Sequence, residues 1–400
     1  MKITDNLKEY KNLILPALIG IPIGIAVGII DTVFAKGLLA VTALREHHLF
    51  WFLPFLPFAG ILIIYVRNII KKKEGFGINL IFAVGLGEET RIPLRLIPFV
   101  IISTWLTHLF GGSAGREGVA LQIGGAVADR LGRKIPIKTG EDIFLIAGLA
   151  AGFAGLFLTP IGAVLFAVEV LIVGKIEYRA FLPALGAAFS ATLTSRFLGL
   201  EKWTYDLNCR LAFNFGDTLK IIWLGIIFGM AGSLFIFILR RMKTYSEKYI
   251  PNPLWRIFII SIALGIIMIL THGRYCGVGS DLIETVFSGG NIFAYDWILK
   301  LILTAITLSI GFQGGEIMPL FSIGACLGFI LAPFFGLPGD FVAALGFAAL
   351  FGSATNTFFA PIFIGAEIFG FASLPYFFTV CAIAYFCNLN RSIYAKQKTE

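Results

Sequence analysis

Two carboxylates and an arginine stand where an apolar chain gives them no water. In GGSAGREGVALQIGG, residues 111–125, Arg116 and Glu117 lie between glycines directly after the apolar run FVIISTWLTHLF. In GGEIMP, residues 314–319, Glu316 follows a second glycine pair. A carboxylate inside a membrane is costly and is a functional candidate by default. Its chemistry would be reversible protonation. Ionised, Glu117 competes with an anion for backbone N–H groups; protonated, it loses that attraction and leaves the site to the ion. A carboxylate that only stabilises its own helix dipole gains about 0.3–1 kcal/mol. That is small beside the roughly 3 kcal/mol or more of burying a charge at the bilayer centre.

The surrounding elements read as membrane elements. Hydrophobic residues are 58% of the 400 positions and charged residues 14%, against about a quarter charged in soluble domains; mean hydropathy is +0.87. Apolar runs near 12–33, 50–70, 93–110, 141–173, 179–199, 217–239, 253–271, 295–312, 317–335, 340–351 and 358–387 are candidate membrane segments. Some approach the roughly 20 residues that span hydrocarbon, and others are clearly shorter. The short ones are broken by Gly and Pro, as in GINLIFAVG and GGEIMPLFSIG. Broken helices are tolerated where the freed backbone lies inside protein or lines a cavity, which favours a transporter or channel over a receptor-like bundle.

Lys2, Lys8, Lys11 and the basic clusters Arg67–Lys73, Arg240–Lys248 and Arg391–Lys398 place both termini on the cytoplasmic side of a bacterial-type plasma (inner) membrane, by the positive-inside rule. No cleaved signal is expected. This topology accounts for the net charge of +8 without a nucleic-acid partner. Cys209, Cys276, Cys326, Cys381 and Cys387 lack metal spacing and read as small core residues. His47 and His48 sit in a polar linker, and His108 and His272 stand alone near segment ends, so neither a metal nor a cofactor is expected. HExxH, a Ser/His/Asp arrangement and a Walker lysine after GGSAG are all missing from the sequence, which argues against an enzyme.

The two glycine-rich stretches belong to an internal repeat. GGSAGREGVALQIGG is echoed by GGEIMPLFSIGACLG at 314–328, and a second pair follows at 148–169 and 347–367, each with a Pro and then a Glu. The prediction is an all-α polytopic membrane protein, one transmembrane domain over 1–400, with two inverted-topology repeats near 50–200 and 217–394. Short interrupted segments in corresponding positions locate a transporter's binding site. Two converging helix N-termini bind an anion without a buried lysine. Glycines at 111, 112, 115, 118, 314 and 315 would let backbone approach the ion closely. Glu169 and Glu367 would hold helix ends by accepting buried N–H bonds.

The sequence resembles the CLC chloride channels and proton-coupled anion antiporters. GREGVALQIGG at 115–125 is similar to the family's G-K/R-E-G-P segment, GGEIMP at 314–319 to its G-x-F-x-P segment, and RYCGVGSDLIETV at 274–286 to its G-x-G half-helix region. Chloride members carry G-S-G-I-P in the first half-helix and offer the anion a serine hydroxyl. Here the counterpart is Gly77, Ile78 and Asn79, with Ile78 at the serine position. Glu169 is followed by Val170, so the second carboxylate of the chloride/proton antiporters is missing. These departures resemble the fluoride/proton antiporter branch.

The resemblance implies a CLC-type fold and a homodimer; Gly/Ala/Leu-rich faces such as LPALGAAFSATL at 182–193 suit helix contact. It implies no appended cytoplasmic regulatory domain. The substrates it implies are fluoride and protons, in proton-coupled fluoride export that confers fluoride resistance. Glu117 would be the gate, and Gly77, Ile78, Asn79, Gly115, Arg116, Gly118, Gly315, Glu316, Ile317, Met318 and Tyr394 would line the anion site. Tyr394 stands where the family's central tyrosine is expected. Arg116 is either structural or a vestibule charge; Glu316 orients backbone, relays protons or caps a helix. A typical fluoride member has a hydroxyl residue at the Met318 position, leaving backbone N–H groups to act there. The alternatives are a chloride/fluoride channel without proton coupling and a chloride/proton antiporter.

Overall fold

Length sorts the helices into two kinds. The computed structural model describes residues 2–70, 77–133, 141–207 and 215–399; Cys209 and Lys71–Lys73 of the sequence reading lie outside the described residues. The first half contains α1 (Lys2–His47), α2 (Leu49–Phe52), α3 (Leu56–Ile70), α4 (Ile78–Gly85), α5 (Leu96–Leu109), α6 (Glu117–Gly132), α7 (Glu141–Phe157), α8 (Pro160–Glu169) and α9 (Phe181–Phe197). The second contains α10 (Phe215–Tyr249), α11 (Pro253–Leu270), α12 (Ser280–Phe287), α13 (Asp296–Ile310), α14 (Ile317–Phe335), α15 (Gly339–Thr355), α16 (Phe359–Phe369) and α17 (Leu374–Cys387). Among the described residues, five helical segments are long and apolar enough to cross a membrane: Ile14–His47, Leu49–Ile70, Phe215–Tyr249, Pro253–Leu270 and Ile317–Phe335.

The shorter helices match across the halves. α4 and α12 have 8 residues each, α7 and α15 have 17 each, and α8 and α16 have 10 and 11. Two apolar runs expected to be continuous are each split. The run at 141–173 breaks at Leu158, whose φ of 57° no helix accommodates. The chain restarts at Pro160, whose absent N–H costs nothing at the first helical position. The run at 358–387 breaks at Gly370, where φ is 98°.

Both halves use one packing device, close backbone contact at paired glycines. A Cβ on Gly124 of α6 or Gly148 of α7 would overlap the other residue's carbonyl oxygen, and the same holds for Gly324 of α14 and Gly346 of α15. In α1, Gly20, Gly24 and Gly28 repeat every fourth residue and meet the backbone of Pro183, Ala187 and Ala191 in α9. The small face of 182–193, expected to suit helix contact, makes that contact inside the chain on α1. Without a hydrophobic drive between helices in lipid, such small-residue contacts carry the packing.

Each half also closes a helix of the other. Glu169, at the end of α8, accepts N–H bonds from Phe358 (3.1 Å), Phe359 (3.0 Å) and Ala360 (2.8 Å) at the start of α16. Glu367 in α16 accepts from Ile161 (3.3 Å) and Gly162 (2.7 Å) at the start of α8. Both glutamates thus take the capping role expected of them. Replacing Glu169 with Ala strands three donors, and at about 1–3 kcal/mol per unsatisfied group the thermal midpoint of E169A in detergent falls well below that of E169Q, which keeps one carbonyl acceptor.

Candidate functional site

The segments leading into α6, α12 and α14 are woven together. Gly115 N–H donates to Gly315 O at 2.5 Å and Gly315 N–H donates back to Gly115 O at 2.8 Å. Gly277, before α12, donates to Gly112 O (2.9 Å) and accepts from Ala114 N–H (3.2 Å). A Cβ on Gly315 would lie 2.6 Å from Gly118 N, and one on Gly115 would lie 2.8 Å from Pro319 Cδ. Glycine at 115 and 315 serves the approach of chain to chain. The expectation that these two backbones reach toward an ion gives way, since their N–H groups are spent on each other.

Beside this crossing Glu117 starts α6 and is completely buried. Its Oε2 accepts the N–H groups of Arg116 and Met318, each at 3.2 Å. Its Oε1 accepts no hydrogen bond and lies 3.5 Å from Arg116 Nε. The carboxylate is therefore held by backbone from the starts of two helices, one in each repeat. Ile317 and Met318 are buried, and Glu316, the residue before α14, places Oε2 3.6 Å from where a Gly118 Cβ would stand. Arg116, Glu117, Gly118, Gly315, Glu316 and Met318 are thus brought together.

Tyr394 is buried with its hydroxyl unpartnered, stacked on Phe82 at 4.8 Å. The carboxylates that act on it electrostatically are Glu316 and Glu117. Gly77, at φ 73°, begins α4 with its Cα facing Gln122, whose Nε2 donates to Gly118 O at 3.0 Å. Ile78 is half-buried, while Asn79 is exposed and is not brought to the carboxylates. Next to Glu117 lies a cavity of about 230 Å³ lined by Arg116, Met318, Phe157, Trp203, Ser280 and Phe347. Phe157 and Phe347 both stack on Phe321, so two of the 40 phenylalanines present rings to that cavity.

Comparison with known proteins matches this geometry to one family. The voltage gated chloride channel family covers residues 58–389. The chain belongs to the CLC family. A "Chloride/fluoride channel protein" of Pseudomonas syringae pv. tomato is 33% identical over 390 residues, 96% of this chain and 86% of that one. A crystal structure of a CLC-type fluoride/proton antiporter is 50% identical with a TM-score of 0.95, covering 97% of this chain and 98% of that one. A slow cyanobacterial Cl⁻/H⁺ antiporter, 19% identical with a TM-score of 0.80 over 96% of each chain, shares the fold. This is a multi-pass membrane protein with the CLC fold of two inverted repeats.

Within this CLC site, sequence reasoning missed Lys300 and Gln122. Lys300, completely buried in α13, donates to Ser113 Oγ (3.0 Å), Tyr275 O (3.1 Å) and Gly277 O (2.8 Å). Thr304 and Thr307 follow on the same helical face; Thr304 Oγ1 is 2.8 Å from Ser113 Oγ, and Thr307 Oγ1 accepts Ser113 N–H at 3.3 Å. That K-x3-T-x2-T spacing inside an apolar helix was the available signal. His108 is buried with Nδ1 2.8 Å from Thr104 O and Nε2 2.9 Å from Ala114 O; a neutral imidazole donates to one of these two carbonyls only.

The C-terminal tail positions Tyr394. Ile393 N–H donates to Ala354 O (2.9 Å), and Tyr394 N–H to Ser392 Oγ (3.1 Å). Beyond it, Lys398–Thr399 pairs in parallel with Ile172–Val173, and Gln397 Nε2 donates to Val170 O at 2.8 Å. Glu88, after α4, pairs with Lys396 (2.7 Å) and Lys398 (3.2 Å). Their ammonium groups hold its carboxyl below the usual carboxylate range.

Two outcomes follow for this tail and crossing. Because the folded pKa of Glu88 is depressed, its pairing is fully present above the ordinary carboxylate range and is lost as pH falls through the depressed value. Amide hydrogen exchange of residues 396–399, followed at stepped pH and corrected for its intrinsic pH dependence, therefore speeds up as pH falls through the depressed value, and E88Q removes that step. Gly315→Ala forces its Cβ into Gly118 N, an overpacking that costs about 1–3 kcal/mol or more. G315A should lower the thermal midpoint and abolish ion flux in liposomes, while an Ala at Gly265, where a Cβ meets only Leu53 O at 3.4 Å, should be far milder.

Proposed function

We propose that this CLC protein exports fluoride in exchange for protons, with Glu117 as the protonatable gate. The observation that carries this reading is the position of Glu117 Oε2 on the N–H groups of both Arg116 and Met318. A carboxylate there stands in for the anion that two helix N-termini would otherwise bind. On taking up a proton it loses charge, gives up those donors and the attraction of Arg116, and vacates the place for the ion. Loss of the proton reverses the exchange, which couples the two substrates by competition.

The family relationship supports the substrate. The antiporter 50% identical to this chain is described as a fluoride/proton antiporter, and Ile78 offers no hydroxyl where chloride members carry serine. Fluoride is small and strongly hydrated, so short backbone N–H bonds at Met318 and around Gly118 replace its water. Tyr394, with a free buried hydroxyl, donates to the anion from the tail side; Glu316 orients the start of α14 beside it. Ile317 shields the site, and Gly77–Asn79 form its approach along α4. The name of the Pseudomonas relative favours a second reading, a channel passing chloride or fluoride without proton coupling.

The protein acts as a transporter and not an enzyme. The whole chain forms one transport domain with repeats near 50–200 and 217–394, working as a homodimer in a bacterial inner membrane with both termini cytoplasmic. In proteoliposomes, an imposed fluoride gradient should drive opposing proton movement, recorded by an internal pH dye. E117Q should reduce that proton movement to the level of protein-free vesicles. Fluoride flux without proton movement in the wild type would establish the channel reading, and intact coupling in E117Q would refute the gate.

A further inference from the structure

On the flank of the protein, α10 forms one wall of an apolar groove of about 550 Å³, with Ile227, Met230, Leu234 and Phe237 along it and Leu327 of α14 and Leu389 opposite. Met230, Phe237 and Leu389 are strongly exposed, and α10 is one of the helices long and apolar enough to cross a membrane, so the groove faces hydrocarbon. Such a groove in a bilayer fills with acyl chain. Its end is what distinguishes it from ordinary lipid-facing surface.

Arg391 lines that end and is exposed, and among the described residues its guanidinium makes no ion pair or hydrogen bond. Arg240 and Arg241 stand one turn beyond Phe237 on α10. Arg240 donates to Ser392 O at 2.7 Å, and Arg241 lies 5.2 Å over the Phe237 ring. A free cation beside two more, at the mouth of an apolar trough, complements a molecule that carries an anionic head and a hydrocarbon chain together. Basic pockets between membrane helices recognise lipid phosphates in this way.

We propose that this groove binds one anionic glycerophospholipid of the surrounding bilayer, with an acyl chain along α10 and its phosphate on Arg391. The bound head group also steadies the chain that places Tyr394. Arg391 opens that stretch, Arg240 holds Ser392, and Ser392 Oγ donates to Thr355 O at 3.3 Å while accepting Tyr394 N–H. Restraining Arg391 shortens the free path between α17 and Tyr394.

Retention of dioleoyl phosphatidylglycerol and dioleoyl phosphatidylcholine by the detergent-solubilised full chain, measured by native mass spectrometry, tests this without any transport assay. Wild type should retain the anionic lipid about fivefold better, the gain expected from one arginine near a phosphate. R391Q should erase the preference, R391K should keep it, and M230W, which fills the groove, should weaken retention of both lipids. Amides of residues 392–394 should exchange more slowly with phosphatidylglycerol in wild type and not in R391Q. Equal retention of the two lipids by wild type, or a preference that survives R391Q, would overturn the proposal. Failure of fluoride-driven proton movement would sink the antiporter reading and leave these binding outcomes untouched.

Discussion

Everything in this molecule follows from the cost of leaving a helix-end N–H unpaired in hydrocarbon, several kcal/mol per group. Half-spanning helices expose such ends deep inside the protein, and here the acceptors are carboxylates. Glu169 engages both oxygens with three backbone donors, and Glu367 engages both with two. Glu117 accepts two donors on one oxygen and none on the other. The same chemistry yields a fixture in the first two cases and a detachable ligand in the third. Hydrogen bonds to an ionised group are among the strongest in proteins, so a carboxylate anchored through both oxygens stays in place where one anchored through a single oxygen can turn away.

Charge around the crossing is arranged to favour an anion. Lys300 brings an ammonium group under the Ser113–Gly277 junction and satisfies it with two carbonyls and a hydroxyl. Those bonds tie the entries to α6 and α12 together beside the partial positive charge of the helix ends. Arg116 contributes from the cavity side, at 22% side-chain exposure, where it meets both solvent and Glu117.

Much of this was legible in the sequence because the apolar background makes each carboxylate conspicuous. Glu117, Glu316, Glu169 and Glu367 all stand out, and the repeat matches Glu169 with Glu367, which cap each other's helices. Other features left no comparable trace. A leucine at φ 57° carries no signal, so the break at Leu158 was hidden inside a continuous apolar run. Glycines announce close approach but not to what: Gly115 and Gly315 meet each other, and the small face of α9 meets α1. Lys300 announces itself only through the Thr304 and Thr307 that share its helical face, Gln122 has no such companions, and in both cases only the third dimension names the partners. The proposed preference for fluoride rests on kinship alone, because an isoleucine in place of a serine fixes no ion size.

The exchange of caps between α8 and α16 has a consequence for how the chain is made. The acceptor for Ile161 and Gly162 is Glu367, some two hundred positions later. While the ribosome is still working through the second half, the start of α8 has no permanent partner, and that part of the first repeat must wait in a provisional state beside the insertion machinery. Nearly the last helix to emerge completes one of the earlier ones. A truncated product ending before α16 would therefore carry its defect in both halves, which gives membrane quality control a feature to detect in the segment synthesised first.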